Sequence, residues 1–270
     1  MTAELTATPA PEASFGTQFG AVLMRHLRLL GRQPAYLSIS LMQAVIWLPL
    51  FGSLFRHVAD VPGFDGGRSY LGYLTPGVVA MTALFTSGWA GMGFIQDMEG
   101  GVMDRLLTSP ARRGALVAGP IAYQAVMITI QTVIIVVLGW ALGTHFRSGP
   151  AGALVLLVAA VLLAAFISGL SITLALLVRN EESLIAASQF IVLPLTFLSS
   201  AMMPRDLLPG WIATVARYNP VDWAITAGRE ALGADPDWTA AGWRLGALAA
   251  LAVATGALAA RAFRTYQRSL

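Results

Sequence analysis

Six stretches without a single charged side chain decide most of what this chain can become. No Asp, Glu, Lys or Arg lies between Arg32 and Arg56, Arg68 and Asp97, Arg113 and Arg147, Arg147 and Arg179, Glu182 and Arg205, or Arg244 and Arg261. A charge at the centre of a bilayer costs at least ~2.5–3.5 kcal/mol, and crossing the hydrocarbon core takes about 20 apolar helical residues. The gaps predict an all-α membrane protein with six transmembrane helices, at about 36–55, 71–95, 116–142, 153–178, 184–203 and 245–260. The sixth is short and rich in Ala. Arg244 and Arg261 reach from its ends to the interfaces, where Trp243 and Phe263 also fit. Composition agrees: 56% of residues are hydrophobic and only 11% charged, against about 25% charged in a soluble domain. A soluble globular enzyme and a disordered chain are both excluded.

Absences narrow the function. The chain has no Cys, which removes disulfides, thiolate nucleophiles and Cys-ligated zinc. It has no Lys either, so all 17 basic residues are Arg. A Walker A loop needs its Lys on the β- and γ-phosphates. If ATP drives this protein, another polypeptide hydrolyses it. The net charge of +3 invites a nucleic-acid reading, but the arginines sit at the ends of apolar runs and form no stripe. His26, His57 and His145 fall in three different segments and suggest no metal cage or triad. His26 reads as an interfacial polar residue, and Glu181 and Glu182 as a solvated turn between the fourth and fifth spans.

Between the spans lie three informative segments. Residues 1–14 read as a disordered tail, with no basic n-region before an apolar core that would mark a signal peptide. In 15–33, Phe15, Phe19, Val22, Leu23, Leu27 and Leu30 recur at helical spacing, with Arg25, Arg28 and Arg32 on another face. That pattern predicts a basic helix lying in the inner interface, or else a plain extension of the first span. Pro34 marks the break between them. The second segment, 96–114, reads QDMEGGVMDRLLTSPARRG. Its mixed charges, Asp97, Glu99, Asp104 and Arg105, accompany an apolar ridge of Met103, Leu106 and Leu107. Such a short helix suits a groove on a soluble partner, or is an ordinary wet connection. The third, 203–242, is too apolar for a solvated loop and is cut by Pro204, Pro209 and Pro220. Two short helices dipping into the outer leaflet fit it, as does a small external cap.

Arginine placement sets the orientation. With the N-terminus inside, ten arginines face the cytoplasm and seven the outside, which puts both termini in the cytoplasm, including the tail 264–270. Within the spans the polar residues are the only handle on a substrate: Gln43 in the first, Gln124 and Gln131 in the third, Gln189 and Thr196 in the fifth. Each serves as well as a helix–helix hydrogen bond. No charge lies inside a span, so a proton relay has no basis and an apolar or amphipathic substrate fits best. Gly139 with Gly143, and Gly242 with Gly246, have the spacing of close-packed helices.

Two stretches carry a resemblance to a known family. One is EGGVMDRLLTSPARRG, residues 99–114. The other is SSAMMPRDLLPGWIATVARYNPVDWAITAGRE, residues 199–230, with Pro204, Pro209, Trp211, Asn219, Pro220 and Arg229 at the matching places. Together they resemble the membrane subunits of ABC-2 type exporters, the permeases that include daunorubicin-resistance membrane proteins. Val221 and Trp223 depart from the family's usual residues, which touches subgroup rather than family. The resemblance implies a pair of six-span subunits, identical or homologous, over two copies of an ATP-binding subunit that holds ATP and Mg. It implies a coupling helix at 96–105, with Gln96, Asp97, Glu99, Met103, Asp104 and Arg105 meeting that subunit. It makes 15–33 the connecting helix and places re-entrant helices at the outer face. It puts the first and fifth spans at the dimer interface, which favours Gln43, Gln189 and Thr196 as substrate-route residues; Gln124 and Gln131 stay candidates too, with helix–helix packing the stronger reading for them. The chain is then a non-catalytic, multi-pass subunit of a bacterial inner membrane, exporting a drug, antibiotic or lipid by alternating access. A permease for polysaccharide or another envelope polymer stays open as an alternative, and so does a membrane scaffold without an ATPase.

Overall fold

The computed structural model describes residues 14–32, 34–54, 70–103, 113–144, 148–233 and 235–268, and its elements there are all helical. The amphipathic α1 (Phe15–Arg32) precedes α2 (Pro34–Leu54), whose Pro34 sits at the start, where a missing N–H costs nothing. Next come α3 (Tyr70–Gly88), the short α4 (Met92–Glu99) and α5 (Arg113–Ala141). They are followed by α6 (Gly149–Val178), α7 (Glu181–Phe197), the short α8 (Gly210–Ala216), α9 (Pro220–Leu232) and α10 (Trp238–Arg268).

The longest charge-free helix, 30 residues, becomes the axis of the bundle. α6 packs against α3, α4, α5, α7, α9 and α10. Small residues let its neighbours close in: a Cβ on Gly169 would sit 2.7 Å from the Thr255 hydroxyl of α10, and one on Gly152 would strike the Ala231 carbonyl of α9. Two apolar clusters result. The larger runs from Tyr70 and Tyr73 through Leu84, Leu163 and Ile225. The smaller closes the opposite end, where Phe94, Met103, Leu176 and Phe263 meet. Those two ends are called the Tyr70 end and the α4 end below.

Among the described residues, four helical segments are long and apolar enough to cross a membrane: Tyr70–Glu99, Gly114–Ala141, Gly149–Val178 and Trp238–Arg268. The second, third, fourth and sixth predicted spans fall in them. α2 has 21 residues, about 31 Å of helix. α7 has 17, about 25 Å, short of a core of about 30 Å. The chain is thus a multi-pass helical membrane protein.

Boundaries differ from expectation for stated reasons. The predicted second span breaks at a turn over Trp89–Gly91. Ser171 of α6 fills that break: its hydroxyl donates to the Gly88 carbonyl at 2.7 Å and accepts from the Gly91 amide at 3.0 Å. The fifth stops at Phe197 instead of 203, three residues after Pro194. The sixth, expected as 245–260, is a helix of 31 residues that also absorbs 264–268 of the predicted tail. Arg244 and Arg261 ended the apolar gap but not the helix, because a side chain on an outer face need not enter the lipid. A Cβ added to Gly242 or Gly246 would meet nothing within 4 Å, so that spacing closes no contact among the described residues.

Candidate substrate cavity and coupling site

A cavity of about 160 Å³ opens between α2, α3 and α7. Trp47 and Phe51 stack on α2 with centroids 4.6 Å apart because they are four residues apart on one helical face. Met81 and Phe85 face them from α3, and Thr196 and Phe197 from α7, with Met202 beyond the end of α7. No lining residue is charged. The two hydroxyls are used locally: Thr82 donates to Val78 O at 2.8 Å and Thr196 to Val192 O at 2.8 Å. The wall therefore presents mainly aromatic faces and aliphatic surface.

At the Tyr70 end the chain after α7 runs irregularly through 198–204 before a 3-10 turn at Arg205–Leu207. Helix termination leaves carbonyls without partners. Asn219 answers two of them, donating from Nδ2 to Leu195 O and Leu198 O, each at 2.8 Å. Its Oδ1 meanwhile caps α9 by accepting from the Val221 amide at 2.9 Å. Arg229 holds the next turn, donating to Ser200 O at 2.8 Å, Ala201 O at 3.0 Å and Tyr73 O at 3.1 Å. Burial lowers its pKa to about 10, so it stays a cation at neutral pH. Asp222, with no exposed surface, pairs with Arg205 and accepts from the Ser200 amide at 2.7 Å. Burial raises Glu230 above its ordinary value, opposed by its partner Arg244.

The α4 end carries a different set. Asp97 of α4 accepts two bonds from Arg25 of α1, at 2.7 and 3.4 Å. Gln96 donates to Glu181 of α7 at 3.3 Å. Asn180 caps α7, with Glu181 and Glu182 in its first turn where a helix dipole favours acids. A cavity of about 240 Å³ lies among α1, α4, α5 and α10, while α1 packs directly on α5 through Val22 against Gly119.

Residues 17–232 match the model of the protein family described as ABC-2 type transporter. The chain belongs to the ABC-2 type transporter family. Relatives agree. A protein of Cyanophora paradoxa, ycf38, provisionally named a transport permease, is 32% identical over 76% of this chain and 70% of its own length. Its counterpart in Porphyra purpurea is 28% identical over 81% of this chain and 74% of its own. The daunorubicin resistance ABC transporter permease protein DrrB1 of Streptomyces coeruleorubidus is 24% identical over 83% and 77%. The chain is the ABC-2 permease subunit of an ABC transporter, a subunit type that is not itself catalytic and that implies an ATP-binding partner.

Within this ABC-2 permease the predicted residues separate. Thr196 lines the α2/α3/α7 cavity, and Gln189 lies on the same α7 face, two turns away and half-buried. Gln43 is on α2, its side chain outside the described residues. Gln124 and Gln131 of α5 are buried, and Gln131 accepts from Thr86 at 3.4 Å, as packing residues do; neither lines the cavity. In the coupling segment, Asp104 and Arg105 lie outside the described residues. Met103 is 2% exposed and belongs to the apolar cluster of Phe94, Leu116 and Phe263, so in this structure its side chain is taken up by its own bundle. Glu99 is exposed, whereas Gln96 and Asp97 already have partners within the chain. Arg25 is tied to α4; Arg28 is exposed; the Arg32 side chain is outside the described set. Of the segment expected at the outer face, Trp211 and Tyr218 are exposed, Pro204 and Pro220 half-buried, and Asn219 and Arg229 do the holding. Trp47, Phe51 and Phe85 were missed by sequence reasoning, which sought polar residues within the spans; the aromatic pair four residues apart was the available signal.

Proposed function

We propose that this permease exports a hydrophobic or amphipathic compound, a drug, antibiotic or lipid, by alternating access driven by a separate ATP-binding subunit. α2 and α7 complete a six-span subunit, two subunits pair, and the α4 end faces the cytoplasm of a bacterial cell. There Glu99 and the segment 100–112, with Asp104 and Arg105, meet the ATPase. The uncharged aromatic cavity between α2, α3 and α7 carries the substrate assignment, because its two threonine hydroxyls donate locally and aromatic and aliphatic surface makes up most of what a ligand would meet. At about 160 Å³ it suits one small apolar body rather than a polymer strand. The drug-resistance name of DrrB1 supports the same class.

The test is transport by the permease and its ATPase in proteoliposomes. Trp47→Ala and Phe51→Ala should each cut uptake of a fluorescent aromatic amphiphile by about tenfold, the worth of a buried ring contact, with complex assembly unchanged. Equal transport by wild type and both variants across a panel of apolar compounds would remove the assignment.

A further inference from the structure

Residues 199–203 have no backbone–backbone hydrogen bond among the described residues. The stretch is held by side chains from elsewhere. Tyr70 OH donates to Met202 O at 3.0 Å, and Tyr73 OH to Ser200 O at 3.1 Å. Arg229 donates to Ser200 O, Ala201 O and Ser200 Oγ, the last at 3.0 Å. Its guanidinium carbon lies 3.5 Å from the centre of the Tyr73 ring. On the other side α3 presents Gly77, where any Cβ would strike the Ala201 carbonyl. Met202, in this same stretch, forms part of the cavity wall.

We infer that 198–204 is a movable strap at the Tyr70 end of the substrate cavity, and that Arg229 and Tyr73 are the positioning residues that latch it. The inference rests on the cavity reading above. A helix opens only by breaking its own ladder; this strap opens by releasing side chains, the donors Tyr70, Tyr73, Asn219 and Arg229 and the acceptor Asp222, which holds the Ser200 amide at 2.7 Å, while α3 and α9 keep their folds. Arginine suits the latch because its planar fork satisfies several acceptors at once while its face lies on a ring. Lysine offers a point charge and no such face. Lifting Ser200 and Ala201 carries Met202 away from the cavity and opens that end for release.

The chain contains no cysteine, so Ala201→Cys gives one unambiguous probe. Ala201 is 1% exposed. In proteoliposomes of the permease with its ATPase, a membrane-impermeant maleimide trapped in the lumen, which the Tyr70 end faces when ATP is added outside, should label it slowly without nucleotide and about tenfold faster during ATP turnover. Arg229→Lys and Tyr73→Phe, each added to the probe, should speed labelling about tenfold without ATP, as lost charge-assisted or buried bonds do. Both should lower transport per ATP hydrolysed while hydrolysis continues. Labelling that ignores ATP while transport runs would overturn the strap, whatever the variants do, and leave Arg229 a static clamp. Should Arg229→Lys fail to assemble, Tyr73→Phe and the ATP comparison still decide. If wild type shows no ATP-driven transport, the exporter reading fails instead, and the variants' labelling alone tests the latch.

Discussion

Asn219 works in three places with one side chain: two carbonyls of the ending α7 and the first turn of α9. Asn219→Ala strands those groups at a site 5% exposed. It should cost roughly 2–4 kcal/mol, read as a lowered unfolding midpoint in detergent. Asn219→Asp keeps the cap and loses both donors, so it should fall short of wild type while exceeding Ala. Gly77→Leu tests contact with the strap: its Cβ cannot coexist with the Ala201 carbonyl. The strap must shift, and Ala201→Cys should label faster, whereas Gly93→Ala, which meets nothing within 4 Å, should leave labelling unchanged. The Asn-Pro-plus-Arg pattern was legible in the sequence as a marker. Its purpose was not, because the carbonyls it serves are 21 to 156 residues away in the chain.

At the scale of elements, α1 and α4 are separated by a cavity and bridged by the Arg25–Asp97 pair. The pair is partly exposed, 43% and 23%, so its worth to stability is only about 0–1 kcal/mol. Its expected importance is mechanical: it ties α1 to α4, the element leading into the segment proposed to meet the ATPase. Arg25→Asp alone should therefore lower transport per ATP with little change in unfolding midpoint, and Arg25→Asp with Asp97→Arg should restore it. Failure of the double exchange to recover coupling would make the bridge incidental. The amphipathic pattern predicted α1 as a helix, since its periodicity lies in the chain itself. It did not predict the ion pair, which depends on α4 turning away at Trp89–Gly91.

In the whole molecule, apolar side chains face outward on most sides, including Met42, Ile46 and Leu50 of α2 and Phe190 and Phe197 of α7. Lipid covers such a surface, and the proposed pairing of subunits uses the α2/α7 side beside the cavity. Phe190, 81% exposed, tests the second use. Phe190→Arg should convert a paired permease to single subunits in native mass spectrometry, while Val253→Arg on α10, at a 73% exposed site, should not. Equal behaviour of the two would place the subunit contact elsewhere. The sequence by itself determined the helical class, the rough place of the apolar segments and the family motifs, because the cost of a charge in hydrocarbon is written residue by residue. Only the tertiary structure decided where helices stop and which polar groups are spoken for. It showed Met103 turned inward, Gln131 bonded to Thr86, Ser171 filling a helix break and Arg229 gathering carbonyls from an irregular strap. A hydrogen bond needs both partners at about 3 Å, and which distant residue arrives there is settled by packing, not by spacing along the chain.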